Sequence, residues 1–243
     1  MALLDYQNAI GQMVRASGRG DRFEHAGLTP AECRYLLTLA ETAGFRFTVK
    51  VQQSWCAGRA AKAAFLTLSI LPEETRRLLL NEWTSLGGGT RSFVGAESAA
   101  FLEFIGRHLT DPSHELTVCR LELAALRASE GVSHFEPPNP IGLDSRHCLL
   151  QRGHYAGLVR FYAQPQQVLD ALIQKAPLPP LSHDGTTLLF GPGLDGLYRT
   201  ASRNEVTVYE KLASPTPAAS LFVEGFNRES IQDLLAGGIV EYA

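Results

Sequence analysis

The side chains best able to do chemistry in this chain are its four cysteines and seven histidines, since thiolates and imidazoles act as nucleophiles, proton carriers and metal ligands. The closest group is His147 and Cys148 with His154. It lies in a segment predicted to be extended, where residues seven apart face opposite sides. The sequence therefore predicts no metal ligand, no bound cofactor and no catalytic residue in this chain.

The cysteines are spaced as reduced thiols of a cytosolic protein, without a CxxC pair or a disulfide framework. Cys119 falls on a helical stripe with Leu116 and Leu123, which predicts a buried, inert thiol. Arg120 and Glu122 are turned away from that stripe. They form either an ion network on the helix surface or a contact with a partner protein.

The glycine-rich segment SLGGGTRSF, residues 85–93, invites comparison with a phosphate-binding loop. It lacks the GK[ST] ending and follows a predicted helix instead of a strand, which indicates a helix stop and a turn. GxSxG, HExxH and dinucleotide-binding motifs are also missing from the sequence. Motifs therefore give no support for catalysis by this chain alone.

Composition limits the partners of the chain. Its 243 residues carry a net charge of −3 and contain no run of basic residues, which argues against nucleic acid and anionic membranes. The N-terminal sequence lacks a basic region followed by an apolar core, and no apolar run reaches about 18 residues. We expect a cytoplasmic protein without a signal peptide or a membrane span.

The elements predict an α+β protein with a helical bundle first. Residues 1–130 carry helix signals such as Thr29-Pro30-Ala31-Glu32, which joins a cap, a proline at the first helical position and a glutamate that reaches back. The proline-rich residues 131–146 are predicted to be a linker. Residues 147–243 are then predicted to form a small antiparallel, winged-helix-like domain. Its expected strands are 147–151, 155–162 and 186–191, and its expected helices are 165–176, 217–223 and 227–236.

Residues 196–212, GLYRTASRNEVTVYEKL, predict a two-stranded ribbon in this second domain. In its second strand Val206 and Val208 would point inward, and Thr207, Tyr209 and Lys211 outward. The outer strand of such a ribbon keeps unpaired backbone groups that could accept another chain. From the residues alone, the ribbon is either the edge of a small domain or a docking strand for a peptide.

Residues 54–127 resemble a known family. The segment SWCAGR with Trp55 and Arg59, the triple glycine, and CRLE with Arg120 and Glu122 are similar to the partner proteins of multinuclear iron-dependent oxidative enzymes, most of all the C subunits of methanobactin biosynthesis. The resemblance implies a complex with an iron oxidase of TIM-barrel fold, which holds the iron. That oxidase would convert a cysteine of a ribosomal precursor peptide to an oxazolone with a neighbouring thioamide, on the route to a copper chelator.

The resemblance also favours the docking strand, because peptide-modifying systems often hold the precursor's leader as an added strand. Residues 186–243 carry seven acidic residues against four Lys and Arg, which favours a basic leader over DNA. Two alternatives stay open: a winged-helix DNA-binding protein, and an enzyme with thiol chemistry at Cys56 or Cys119. The expected partner-interface residues are Trp55, Arg59, Arg120 and Glu122. The expected leader-binding residues are Glu205, Val206, Thr207, Val208, Tyr209, Glu210 and Lys211, with Ile231, Leu234 and Leu235 closing the groove.

Overall fold

The computed structural model of the chain describes residues 3–15, 27–89, 95–139, 142–143, 145, 147–182 and 185–243. Within these ranges the fold is α+β, with eleven α-helices and two three-stranded antiparallel sheets. The chain divides into two units, residues 1–104 and residues 105–243.

The first unit is helical, as the sequence predicts. Thr29 begins the second helix through a complete capping box with Glu32, and Pro30 stands at its first position. The fifth helix ends just before the triple glycine, where Gly87 and Gly89 take positive φ angles. The helices are α1 (Leu3–Arg15), α2 (Pro30–Ala40), α3 (Ala43–Ala63), α4 (Phe65–Ile70), α5 (Glu73–Ser85) and α6 (Gly95–Gly106), whose last two residues belong to the second unit.

α3 organises this unit, because α1, α2 and α5 all pack against it. Phe45 and Val49 of α3 join a buried cluster with Leu36 of α2 and with Ala9 and Met13 of α1. A second apolar contact joins α5 and α6, where the ring of Trp83 lies 5.3 Å from that of Phe101 and 5.4 Å from that of Phe104.

The second unit contains both sheets. Strand order is β5-β1-β6 in one sheet and β2-β3-β4 in the other, and all pairs are antiparallel. Its elements are α7 (His114–Gly131), β1 (Leu149–Arg152), β2 (Gly157–Arg160), α8 (Pro165–Gln174), β3 (Thr187–Phe190), β4 (Tyr198–Thr200), α9 (Arg203–Lys211), β5 (Thr216–Pro217), α10 (Ala218–Val223), α11 (Arg228–Ala236) and β6 (Val240–Tyr242). The three strands and three helices predicted between 147 and 236 are confirmed, although β1 and β2 enter different sheets instead of one.

α7 belongs to the second unit, whereas the sequence predicts it within the N-terminal helical domain, residues 1–130. It packs on β2, and a Cβ at Gly157 would lie 2.6 Å from the Cβ of Ala124. The Thr117 hydroxyl also donates to the carbonyl oxygen of Arg160 at 3.3 Å. The division between the units therefore falls at 104/105, ahead of the predicted linker 131–146. Residues 140, 141, 144 and 146 of that linker lie outside the described ranges.

The predicted strand 205–211 is wrong, because these residues form helix α9. Ser202 and Glu205 make a capping box in which the Ser202 N–H donates to Glu205 Oε2 at 2.7 Å and the Glu205 N–H donates to Ser202 Oγ at 3.3 Å. This local start signal outweighs the alternation of Val206 and Val208. The buried positions are Val208, Tyr209 and Leu212, with helical spacing, so Tyr209 points inward and not outward.

Thr207→Ala distinguishes a helix from a strand. Alanine stabilises a helix more than threonine does, whereas threonine stabilises a strand more than alanine does. Thr207 is exposed, and its hydroxyl donates only to the carbonyl oxygen of Arg203 one turn earlier. We expect Thr207→Ala to raise the free energy of unfolding by about 0.5 kcal/mol in urea denaturation, and Thr207→Gly to lie about 1 kcal/mol below the alanine variant. A strand would instead lose stability with alanine, so that result would contradict α9.

Candidate functional site

The open edge of β4 is the first feature of the site. β4 pairs with β3 on one side, and no strand among the described residues pairs with its other side. At the other end of this sheet, α7 packs against β2, and the Thr117 hydroxyl donates to the carbonyl oxygen of Arg160. The outer edge of β4 is therefore available to a further strand.

The register of the β3–β4 pair determines which backbone groups face the open edge. Gly191 N–H donates to the Leu197 carbonyl at 3.0 Å and Ala201 N–H to the Thr187 carbonyl at 2.9 Å. Because groups on a strand alternate in direction, the backbone of Arg199 faces β3. The N–H and C=O groups of Tyr198 and Thr200 face outward, and Thr200 C=O accepts from Arg199 Nη1 at 3.3 Å.

A cleft of about 500 Å³ lies beside this edge. Its charged residues are Arg199 on β4, Glu205 on α9, Asp195 before β4 and Asp233 on α11. Arg199 and Glu205 form an ion pair. Asp195 and Asp233 then give the cleft an excess of two negative charges, which favours a cationic group in an incoming chain.

Glu205 stays ionised although it is largely buried. Burial alone would raise the pKa of Glu205, but its hydrogen bonds with Arg199 and Ser202 together outweigh burial and hold the pKa below the usual value. The same hydrogen bond to Glu205, and more weakly the charge of Asp233, raises the pKa of Arg199. The pair is therefore charged throughout the physiological range.

The structure brings one of the predicted leader-binding residues, Glu205, into this cleft. Lys211 pairs instead with Glu224 at 2.7 Å, and the Glu210 carbonyl accepts from Arg152. Val206 and Thr207 lie on α9 outside the cleft. The remaining predicted residues are core residues, namely Val208, Tyr209, Ile231, Leu234 and Leu235.

Four residues of the cleft were not predicted from the sequence, namely Asp195, Tyr198, Arg199 and Asp233. The signal for β4 was weak, because a strand of three residues shows no clear alternation. Gly196, with a φ of +70°, marks the turn before it. The SxxE pattern of Ser202 and Glu205 was the sequence signal that β4 ends and a helix begins there.

Cys56 and Arg59 of α3 meet the triple glycine in the first unit. Arg59 Nη2 donates to the Gly89 carbonyl at 2.7 Å and lies 3.5 Å from Glu97 Oε2, while the Cys56 thiol donates to the same carbonyl at 3.3 Å. Glu97 is only 6% exposed. Gly89 is therefore a structural junction between α3, α5 and α6, which agrees with the predicted helix stop; residues 90–93 of the glycine-rich segment lie outside the described ranges.

The other expected interface residues have different surroundings. Trp55 is exposed on α3 and forms one wall of a cleft of about 200 Å³ with Ser54, Gly58, Arg59 and Lys62. Arg120 donates to Asp111 at 3.0 Å, which is the ion pair that the ion-network alternative expects, and the partner contact stays a prediction.

On α7, Glu122 is half-buried and Cys119 is fully buried, as predicted for the thiol.

The Asp111 carboxylate that binds Arg120 also accepts a hydrogen bond from the Tyr162 hydroxyl at 2.7 Å. This polar group therefore links the start of α7 to the residues that follow β2.

No protein-family model matches the chain, and no curated protein matches it either. In the part of the chain that the structure describes, no group of three His, Cys, Asp or Glu side chains could hold a metal ion. No helix in those same ranges is long and apolar enough to cross a membrane. The site therefore has to be interpreted from its own geometry.

Gly89→Ala and Gly58→Ala form a matched pair that tests the junction. Gly89 has a φ of +81°, and an added Cβ would lie 2.7 Å from the Cβ of Cys56, whereas a Cβ at Gly58 would meet nothing within 4 Å. We expect Gly89→Ala to lower the free energy of unfolding by about 1–3 kcal/mol. Gly58→Ala, within a helix, should raise it by roughly 0.5–1 kcal/mol. Thermal and urea denaturation of both variants give the comparison, and equal effects would contradict the junction.

Tyr162→Phe tests the polar group at Asp111. The hydrogen bond from Tyr162, followed by that from Arg120, lowers the pKa of Asp111 in the folded chain. The stabilisation from Asp111 is therefore present above the pKa of the unfolded chain and is lost as pH falls through the folded pKa. We expect Tyr162→Phe to raise the pKa of Asp111, measured by NMR titration of its carboxyl carbon, and to make stability less sensitive to acid. Tyr35→Phe is the control, and an unchanged pKa in Tyr162→Phe would contradict the assignment.

Proposed function

We propose that this chain is the substrate-recognition and partner subunit of a peptide-modifying iron oxidase of the methanobactin type. In this proposal the oxidase has a TIM-barrel fold and holds the iron. It converts a cysteine of a ribosomal precursor peptide to an oxazolone with a neighbouring thioamide. The chain described here binds the leader of that precursor and contributes no catalytic residue. The open edge of β4 beside an acidic cleft is the observation that carries the proposal.

Strand addition at β4 suits a leader peptide because backbone bonds supply affinity for any sequence, while pockets beside the strand select side chains. The outward groups of Tyr198 and Thr200 provide the backbone donors and acceptors. Asp195 and Asp233 favour Lys or Arg in the leader. The docking strand is therefore reassigned from residues 205–211 to β4, and the proposal of a basic leader is kept.

Two observations weigh against the alternatives that the sequence left open. A surface with excess carboxylates beside the open edge of β4 would repel DNA phosphates. The thiol-chemistry alternative is weakened because Cys56 and Cys119 are each only 1% exposed. Burial also raises the pKa of the Cys148 thiol.

All four cysteines are free thiols, which supports a reducing compartment, and we propose the cytoplasm.

Leader binding can be measured by titrating a labelled leader peptide into the chain. Thr200→Pro removes an N–H that faces the open edge and leaves the bonds to β3 in place, so we expect affinity to fall about tenfold or more while the fold is kept. Ala201→Pro is the matched variant, because it removes the bond to Thr187 and should unpair β4 itself.

Modified leader peptides provide a second, independent test of strand addition at β4. Two leader peptides, N-methylated at alternate residues in the two possible frames, should differ in affinity, since in an added strand every second N–H faces β4. Equal affinities of the two peptides, or unchanged affinity in folded Thr200→Pro, would overturn strand addition at β4.

Charge at the cleft is tested with the double variant Asp195→Asn, Asp233→Asn. We expect slower association with a basic leader and a weaker dependence of affinity on salt. Glu210→Gln is the control, because Glu210 is exposed on α9 but does not line the cleft. Association rates at two ionic strengths give the readout, and an equal effect of the control would contradict steering by the cleft.

A further inference from the structure

α3 carries an exposed row of large apolar side chains on the side away from its buried face. Phe47, Val51 and Trp55 recur at every fourth position, and they are 68%, 39% and 69% exposed. The buried residues of the same helix, Phe45, Val49, Cys56 and Ala60, lie on the opposite side. We call Phe47, Val51 and Trp55 the α3 stripe. A row of this kind on a folded domain marks a contact surface.

A glycine stands at each end of the α3 stripe. A Cβ at Gly44 or at Gly58 would meet nothing within 4 Å, so another backbone could approach the helix closely at both positions. Beside Gly58, Trp55 forms the wall of the cleft of about 200 Å³. A recess of this size can take a side chain of a structured partner, whereas a lipid surface has no fixed group to fill it.

The charged residues of α3 itself have one sign. The helix contains Arg46, Lys50, Lys62 and Arg59, which pairs with Glu97 of α6, and it contains no acidic residue, although the chain as a whole has a net charge of −3. A two-fold dimer through this face would bring like charges together, which opposes self-association. An acidic protein surface complements it.

We infer that the α3 stripe docks into an apolar recess of a separate protein subunit whose rim carries carboxylates, with one partner side chain entering the Trp55 cleft. The inference rests on the proposed function, in which this subunit is the iron oxidase. To the proposed function it adds the face of this chain that contacts the oxidase, the chemistry of the oxidase surface, and the cations that orient the complex. Docking at α3 is independent of leader binding at β4.

The sharpest test is Gly58→Gln, which adds an uncharged side chain where the chain itself leaves open space. We expect this variant to fold with at least wild-type stability and to bind the oxidase subunit at least tenfold more weakly, measured by surface plasmon resonance. The pair Phe47→Ala, Trp55→Ala should weaken the complex similarly. Tyr35→Ala, an aromatic residue 62% exposed on α2, is the control and should bind as the wild type does.

The charges are tested with Lys50→Glu, Lys62→Glu, which should weaken the complex several-fold and flatten its salt dependence. Arg34→Glu, Arg77→Glu reverses two exposed charges outside α3 and should have little effect. Zero-length carbodiimide cross-linking of the wild-type complex should join Lys50 or Lys62 to an Asp or Glu of the oxidase, identified by mass spectrometry. Cross-links confined to lysines outside α3 would overturn the inference.

The outcomes separate the two proposals. Wild-type affinity for the oxidase in folded Gly58→Gln would overturn docking at the α3 stripe and leave leader binding at β4 intact. No complex between the wild-type chain and the oxidase would overturn the proposed partner and the inference together. Stripe-dependent binding to phosphatidylglycerol vesicles, or stripe-dependent self-association in sedimentation equilibrium, would reassign the face to a membrane or to a second copy.

Discussion

Glu205 accepts hydrogen bonds from two directions, and the candidate site depends on both. Ser202 holds it as the first-turn residue of α9, and Arg199 holds it from β4. The first contact stops the strand and starts the helix within a few residues, while the second keeps a guanidinium at the sheet edge. Loss of this carboxylate would leave Arg199 partly buried without its main counter-charge and α9 without its capping box.

The two proposed contacts use different physical means and lie in different units. At β4 the binding groups are backbone amides and carbonyls, whose affinity is largely independent of sequence, with carboxylates added for selection. On α3 the binding groups are aromatic and aliphatic side chains, whose fit depends on shape, with cations added for orientation. A subunit that must accept a flexible peptide and a folded enzyme has reason to keep these two kinds of surface apart.

Much of the fold was predictable, because helix caps, prolines and glycines act locally. The Thr29–Glu32 capping box and the strands and helices of residues 149–190 follow from such signals. The same logic applied to Ser202 and Glu205, yet the alternation of Val206 and Val208 favoured a strand.

What could not be predicted depends on distant contacts. β1 and β2 lie in two different sheets, and Gly153 between them contacts a distant segment: its N–H donates to the Ile239 carbonyl at 2.9 Å, and the Gly238 carbonyl leaves no room for a Cβ. The candidate cleft likewise combines residues from 193 to 237, and its acidic character was visible only as an overall charge excess.

Arg199 has a further consequence for the chain when no peptide is bound. Its Nη1 donates to Thr200 C=O, one of the outward-facing acceptors of β4, while Nη2 binds Glu205. The arginine thus shields its own strand edge against indiscriminate pairing with other chains, as charged residues do on many exposed edges. An incoming strand has to displace this guanidinium from the carbonyl, and a short, partly shielded edge releases its occupant readily. In the proposed function, such an edge would let the subunit exchange one precursor peptide for the next.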